Sequence, residues 1–145
     1  MYNEINEFLF PLFQIGFLLC LTFLVIWNRV LILRVVKLRR EKKILLESGG
    51  DEELTRAIRC HGNFVESVSL AVIIPIILFF ENEFVIFSFL ALVLLCMGRY
   101  THSEGLKNID EDIQYRRRGM YFSRYSNYVS LVGVAFYIAH IVMSF

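Results

Sequence analysis

Four long apolar stretches set what this chain can fold into. Residues Phe8 to Asn28 carry no charge at all. Cys60 to Phe80 is a second block, interrupted only by Glu66. Phe84 to Gly98 is shorter and is completed by its flanks, and Tyr125 to Phe145 is again uncharged. An α-helix needs about 20 apolar residues to cross the roughly 30 Å hydrocarbon layer of a bilayer. The spacing predicts an all-α integral membrane protein, a single domain over 1–145 with crossings near 6–33, 56–80, 84–102 and 119–144. A β-barrel would need alternating segments of about ten residues, which the sequence does not contain. With 57 % hydrophobic residues the chain is not a disordered one.

All 15 Lys and Arg fall in Arg29–Lys43, Arg56–Arg59 and Arg99–Arg124. With four crossings, these segments share one face of the membrane, and the other face has no Lys or Arg. The positive-inside rule places the basic loops in the cytoplasm and both termini outside. Met1–Glu7 has two glutamates and no basic residue, which is not the start of a cleavable signal. Lys37–Lys43 reads as a topology signal that touches lipid headgroups. The net charge of +1 gives no reason to expect a nucleic-acid partner.

The connections predict helical hairpins. Glu81-Asn82-Glu83 reads as a tight turn. Ser48-Gly49-Gly50-Asp51 separates two helical patterns, with a glycine ending the first near Glu47 and Asp51 capping the second. Cys20, Cys60 and Cys96 form neither a disulfide pattern nor a metal-ligand pattern and read as buried hydrophobes, and no metal is expected. His140 and the aromatic run Tyr121, Phe122, Tyr125 and Tyr128 read as structural or interfacial.

The segment with chemistry is Arg56-Ala-Ile-Arg59-Cys-His-Gly-Asn63-Phe-Val-Glu66. At about 100° per residue, Arg56, Arg59, Asn63 and Glu66 fall within an arc of roughly 80° spread over about 15 Å of helix. Charges inside a membrane cost at least ~2.5–3.5 kcal/mol and are therefore paired or turned toward protein or water. One reading is a structural network among these groups. The other is a site for a zwitterionic peptide acid, with guanidiniums forking onto carboxylates, a carboxylate holding an ammonium, and an amide matching a peptide backbone. Arg99 and His102 lie one turn apart on the same membrane face, and Arg116-Arg117-Arg118-Gly119 opens the last helix. Taken alone, His102 reads as an interfacial histidine and the triplet as an anchor.

The pattern R-x-x-R-x-x-x-N-x-x-E at 56–66 resembles that of the membrane-associated proteins in eicosanoid and glutathione metabolism, the MAPEG family. Arg99-Tyr-Thr-His102-Ser-Glu-Gly105 looks like the R-x-x-H-x-x-G of its bacterial-type members, and Arg116-Arg-Arg-Gly119 resembles a later R-x-x-G. The resemblance implies a homotrimer of four-helix bundles that binds glutathione between subunits as co-substrate. It implies that Arg56, Arg59, Asn63, Glu66, Arg99 and His102 hold the tripeptide and that Arg116 activates its thiol, with Arg117 and Arg118 as alternatives. Ser67 and Leu106 stand where the leukotriene-synthase branch has tyrosines, which points to a general microsomal-type transferase acting on hydrophobic electrophiles dissolved in the membrane. A bacterial inner membrane suits the motifs better than an organelle membrane. The alternatives are a non-catalytic lipid-binding scaffold of the same fold and a proton-coupled exporter using Glu66, although two arginines on the same face oppose titration of that carboxylate.

Overall fold

The computed structural model describes residues 2–81, 84–107 and 113–145, with side chains from Leu9 onward. The described residues form five α-helices and no strand: α1 (Tyr2–Lys42), α2 (Glu52–Ala71), α3 (Ile73–Phe80), α4 (Val85–Gly105) and α5 (Ile113–Met143). Four segments are long and apolar enough to cross a membrane: Leu9–Lys42, Glu52–Phe80, Val85–Gly105 and Ile113–Met143. The second is α2 and α3 together. Pro75 explains the break between them, because it has no N–H to donate to Ala71 and its ring crowds that carbonyl. The turn at Val72 is mild. Val72 N–H still reaches the Val68 carbonyl at 3.1 Å, and Ile76 N–H the Val72 carbonyl at 3.0 Å.

α1 has 41 residues, about 62 Å of helix, roughly twice the hydrocarbon thickness. It ends at Lys42, short of Glu47, because Lys43 already takes a left-handed backbone at φ 58°. Gly49 and Gly50 also have positive φ, but in the turn that leads into α2 rather than at the end of α1. α5 starts at Ile113, so the basic triplet lies within its first two turns. The expected turn at Glu81–Glu83 lies partly outside the described residues. The described part has Phe84 N–H donating to the Glu81 carbonyl at 2.8 Å.

α4 is the central helix, buried on one side from Val85 to Gly105. Against α5 the two backbones nearly touch at Gly98 and Gly119, where a Cβ on Gly119 would lie 2.7 Å from the Gly98 carbonyl oxygen. Small residues permit such approaches between membrane helices, where lipid supplies no hydrophobic drive and close contact must supply the attraction. Ser126 Oγ adds a bond to the Ala91 carbonyl at 2.7 Å.

α1 presents Phe17, Leu24, Leu31 and Leu38 to the interior at a seven-residue spacing, one stripe of the helix. Phe17 stacks on Phe79 of α3 with ring centres 4.1 Å apart. The opposite stripe, including Leu18, Leu19, Val25 and Ile26, is exposed. Toward the basic ends of the two helices, Val35 and Leu38 pack on Leu54 and Ala57, which ties α1 and α2 into a second small core.

Candidate functional site

The site begins with how α2 is anchored. Asp51 caps it, accepting from Leu54 N–H at 2.8 Å, and Lys42 of α1 bonds the other carboxylate oxygen at 2.7 Å. The Lys42 ammonium, then the Leu54 N–H, hold the Asp51 carboxyl below its ordinary value. Lys42 also reaches Glu53 at 3.2 Å. With its start fixed, α2 turns Leu54, Ala57, Cys60 and Phe64 inward. The face carrying Arg56, Arg59, Asn63 and Glu66 is thereby left toward α5, against which α2 makes no extended contact.

That gap is a cavity of about 580 Å³, lined from α2 by Thr55, Arg56, Ile58, Arg59, Gly62, Asn63 and Glu66. His102 and Leu106 line it from the end of α4, and Arg116 from α5. Three motif segments, far apart in sequence, thus meet at one opening. A Cβ on Gly62 would meet nothing within 4 Å, so the wall is open there. His102 is buried, Arg56 and Arg116 are half-buried, and Arg59 and Glu66 are exposed at the rim. Arg56 lies 4.0 Å from Glu52, one turn back. Arg117 and Arg118 are exposed and are absent from the lining. The α4–α5 contact explains the difference, since Gly119 must face α4 and that fixes the rotation of α5.

A second cavity of about 470 Å³ adjoins the first and shares Asn63, His102 and Arg116. It adds Arg99, Ser123, Arg124 and Asn127, with Ser67, Ala71, Leu95 and Met120. Arg99 lines this cavity rather than the first, and it is 4 % exposed. Ser123 was not among the sequence candidates. It lies seven residues after Arg116, two turns along the same face of α5, and that periodicity is the signal that marks it.

The remaining candidates are distributed elsewhere. Cys60 is buried with its thiol toward the Ser103 carbonyl at 3.8 Å. Cys20 and Cys96 are half-buried on an apolar groove between α1 and α4, and the three thiols are free. His140 rests edge-on against Phe84, with ring centres 5.9 Å apart. Among the described residues no group of three or more His, Cys, Asp or Glu gathers to hold a metal ion.

The chemistry on offer is anion binding next to a single acid. Guanidiniums at 56, 59 and 116, with Arg99 behind them, can pair with carboxylates or a thiolate, and Glu66 can take an ammonium.

The MAPEG family model matches residues 17–142. The inner membrane protein YecN of Escherichia coli K12 is 30 % identical over 86 residues, 59 % of this chain and 64 % of that protein. YecN of strain CFT073 gives the same figures, so the chain spans 64 % of the length of the curated relatives it matches. No solved structure matches the chain significantly.

Proposed function

The chain belongs to the MAPEG family and is a multi-pass membrane protein, and from that premise we propose that it is a membrane-bound glutathione S-transferase. The carrying observation is the meeting of Arg56, Arg59, Asn63 and Glu66 with His102 and Arg116 around one cavity. Glutathione has two carboxylates, one ammonium and two peptide bonds. Arg56 and Arg59 are suited to the carboxylates, Glu66 to the ammonium and Asn63 to the backbone, with His102 and Arg99 behind them.

Arg116 is assigned to the thiol. A fixed cation beside sulfur favours thiolate over thiol, and the thiolate is the nucleophile. Away from bulk water the same cation acts more strongly. The thiolate attacks an electrophilic carbon of a membrane-dissolved substrate, forming the S–C bond as the leaving group departs or a conjugated double bond takes up the electrons. A peroxide oxygen is a second acceptor for the same sulfur.

Arg59 and Glu66 are exposed on the single chain although α2 lies in a membrane-crossing segment. Charged groups there need protein, ligand or water around them. A homotrimer supplies the protein by placing a neighbouring copy across the rim. The basic ends of the helices face the cytoplasm in this reading, and the host is a bacterial inner membrane.

Calorimetric titration of the purified protein with glutathione, followed by turnover assays with aryl halides and enals, tests the proposal. Saturable binding with conjugation supports the transferase, binding with no turnover indicates a scaffold of the same fold, and no binding removes the reading.

A further inference from the structure

A guanidinium has five N–H donors and no acceptor, so whatever bonds to it must present a lone pair. Arg99 of α4 is buried between two helices. Its Nη1 donates to Asn63 Oδ1 on α2 at 2.9 Å. Its Nε donates to Ser123 Oγ on α5 at 3.1 Å, and its Nη2 donates to the same oxygen. Ser123 sends its own proton to the Gly119 carbonyl at 2.9 Å, which leaves its lone pairs for Arg99. Every bond in this chain has a fixed direction.

The direction settles how the Asn63 amide is turned. Oxygen and nitrogen of an amide are hard to tell apart by shape, but only the oxygen can accept from a guanidinium. The Nδ2 group therefore points away from Arg99. Asn63 lines both cavities, and the first is the one of the two that Arg99 does not line. Among the described residues no hydrogen-bond acceptor takes the Nδ2 protons.

We propose that Arg99 and Ser123 are a positioning pair that holds the Asn63 amide with both Nδ2–H donors toward the first cavity, so that the ligand group received there is an acceptor, a peptide carbonyl or a carboxylate. In its ligand this rests on the glutathione reading; the orientation of the amide does not. The role differs from that of Arg56, Arg59 and Arg116. Those guanidiniums line the first cavity, whereas Arg99 acts on the ligand through Asn63.

The test uses the full chain in mild detergent. Asn63→Asp keeps an oxygen on Arg99, replaces the two donors with a second acceptor and adds a negative charge beside the guanidinium. Its Tm should hold or rise, and its KM for glutathione should rise about ten-fold or more with kcat within about two-fold. Ser123→Ala should raise KM about three- to ten-fold, and Ser123→Thr, which keeps the hydroxyl, should restore it. An unchanged KM in Asn63→Asp overturns the acceptor role. A fall in the Tm of Asn63→Asp overturns the orientation, whatever glutathione does. The losses of Tm in Arg99→Lys and Ser123→Ala should sum to more than the loss in the double variant, and additive losses overturn the pair. If the unaltered protein binds no glutathione, the transferase reading falls, and these Tm arms still decide the pair.

Discussion

The indole nitrogen of Trp27 donates to Ser103 Oγ at 3.0 Å, which joins α1 to the last turn of α4 next to His102. Ser103 passes its own proton to the Tyr100 carbonyl at 2.8 Å, and the Tyr100 ring packs on Trp27 with centres 5.0 Å apart. Trp27→Phe keeps the ring contact and loses the bond. A hydrogen bond of this kind contributes about 0.5–1.5 kcal/mol net. The expected result is a lowered Tm. Circular dichroism is the readout, since the substitution removes the chain's single tryptophan.

Arg116 and its neighbours should separate cleanly. Arg116 lines the cavity, while Arg117 and Arg118 are exposed. Arg116→Ala should raise the pH at which glutathione thiolate absorbs in the ultraviolet and lower turnover about ten- to a hundred-fold, the equivalent of ~1.5–3 kcal/mol. Arg117→Ala and Arg118→Ala should leave that titration where it was. A shift in either of these, with Arg116→Ala silent, moves the role to the neighbour.

Glu66 tests binding rather than chemistry. The ammonium it is proposed to hold is present in both ground and transition states, so the interaction is uniform. Glu66→Gln should raise KM for glutathione with a smaller effect on kcat. A drop in kcat at constant KM would place Glu66 in the reaction itself.

The corner between α1 and α2 carries an acid-sensitive contact. Lys42 and the Leu54 N–H lower the Asp51 carboxyl from the usual 3.8, so the folded state releases this proton more readily than the unfolded one. The resulting stabilisation is present above about pH 4 and fades as the pH falls through the lowered folded value. Asp51→Asn still caps the helix but has no charge for Lys42. The Tm gap between the two proteins should be constant above about pH 5 and close in acid.

Gly119→Ala should be costly. Its Cβ would lie 2.6 Å from the His102 nitrogen and 2.7 Å from the Gly98 carbonyl, both backbone atoms that cannot rotate aside. Overpacking of this kind costs about 1–3 kcal/mol. Because α5 would be pushed from α4, glutathione affinity should fall together with Tm. A full-affinity, fully stable variant would show that the helices tolerate separation.

The crossings were legible because a bilayer imposes one demand, about twenty apolar residues, that composition alone reveals. The polar face of α2 was legible because helical periodicity needs only the spacing of Arg56, Arg59, Asn63 and Glu66. Contacts between helices were not. Nothing local distinguishes Arg99, buried by Asn63 and Ser123, from Arg59 on the rim. Which arginine of the triplet faces inward depends on the rotation of α5, set by Gly119 against Gly98 across the interface. The break at Val72 could have been drawn from Pro75, whereas the end of α1 at Lys42 depends on a left-handed Lys43 that no propensity announces.

The length of α1 has a practical side. From Arg29 to Lys42 the helix rises about 20 Å beyond its uncharged run, and the Gly49–Gly50 corner lies at that end. The space around Gly50 is open, but its φ of 81° strains any other residue, so a graft there is an insertion that keeps both glycines. The protein carries its own handle there: a fluorophore, an affinity peptide or a rigid fiducial module grafted at that corner rides on a mast braced by Val35, Leu38, Leu54 and Ala57, and a small membrane protein becomes one that can be gripped and imaged.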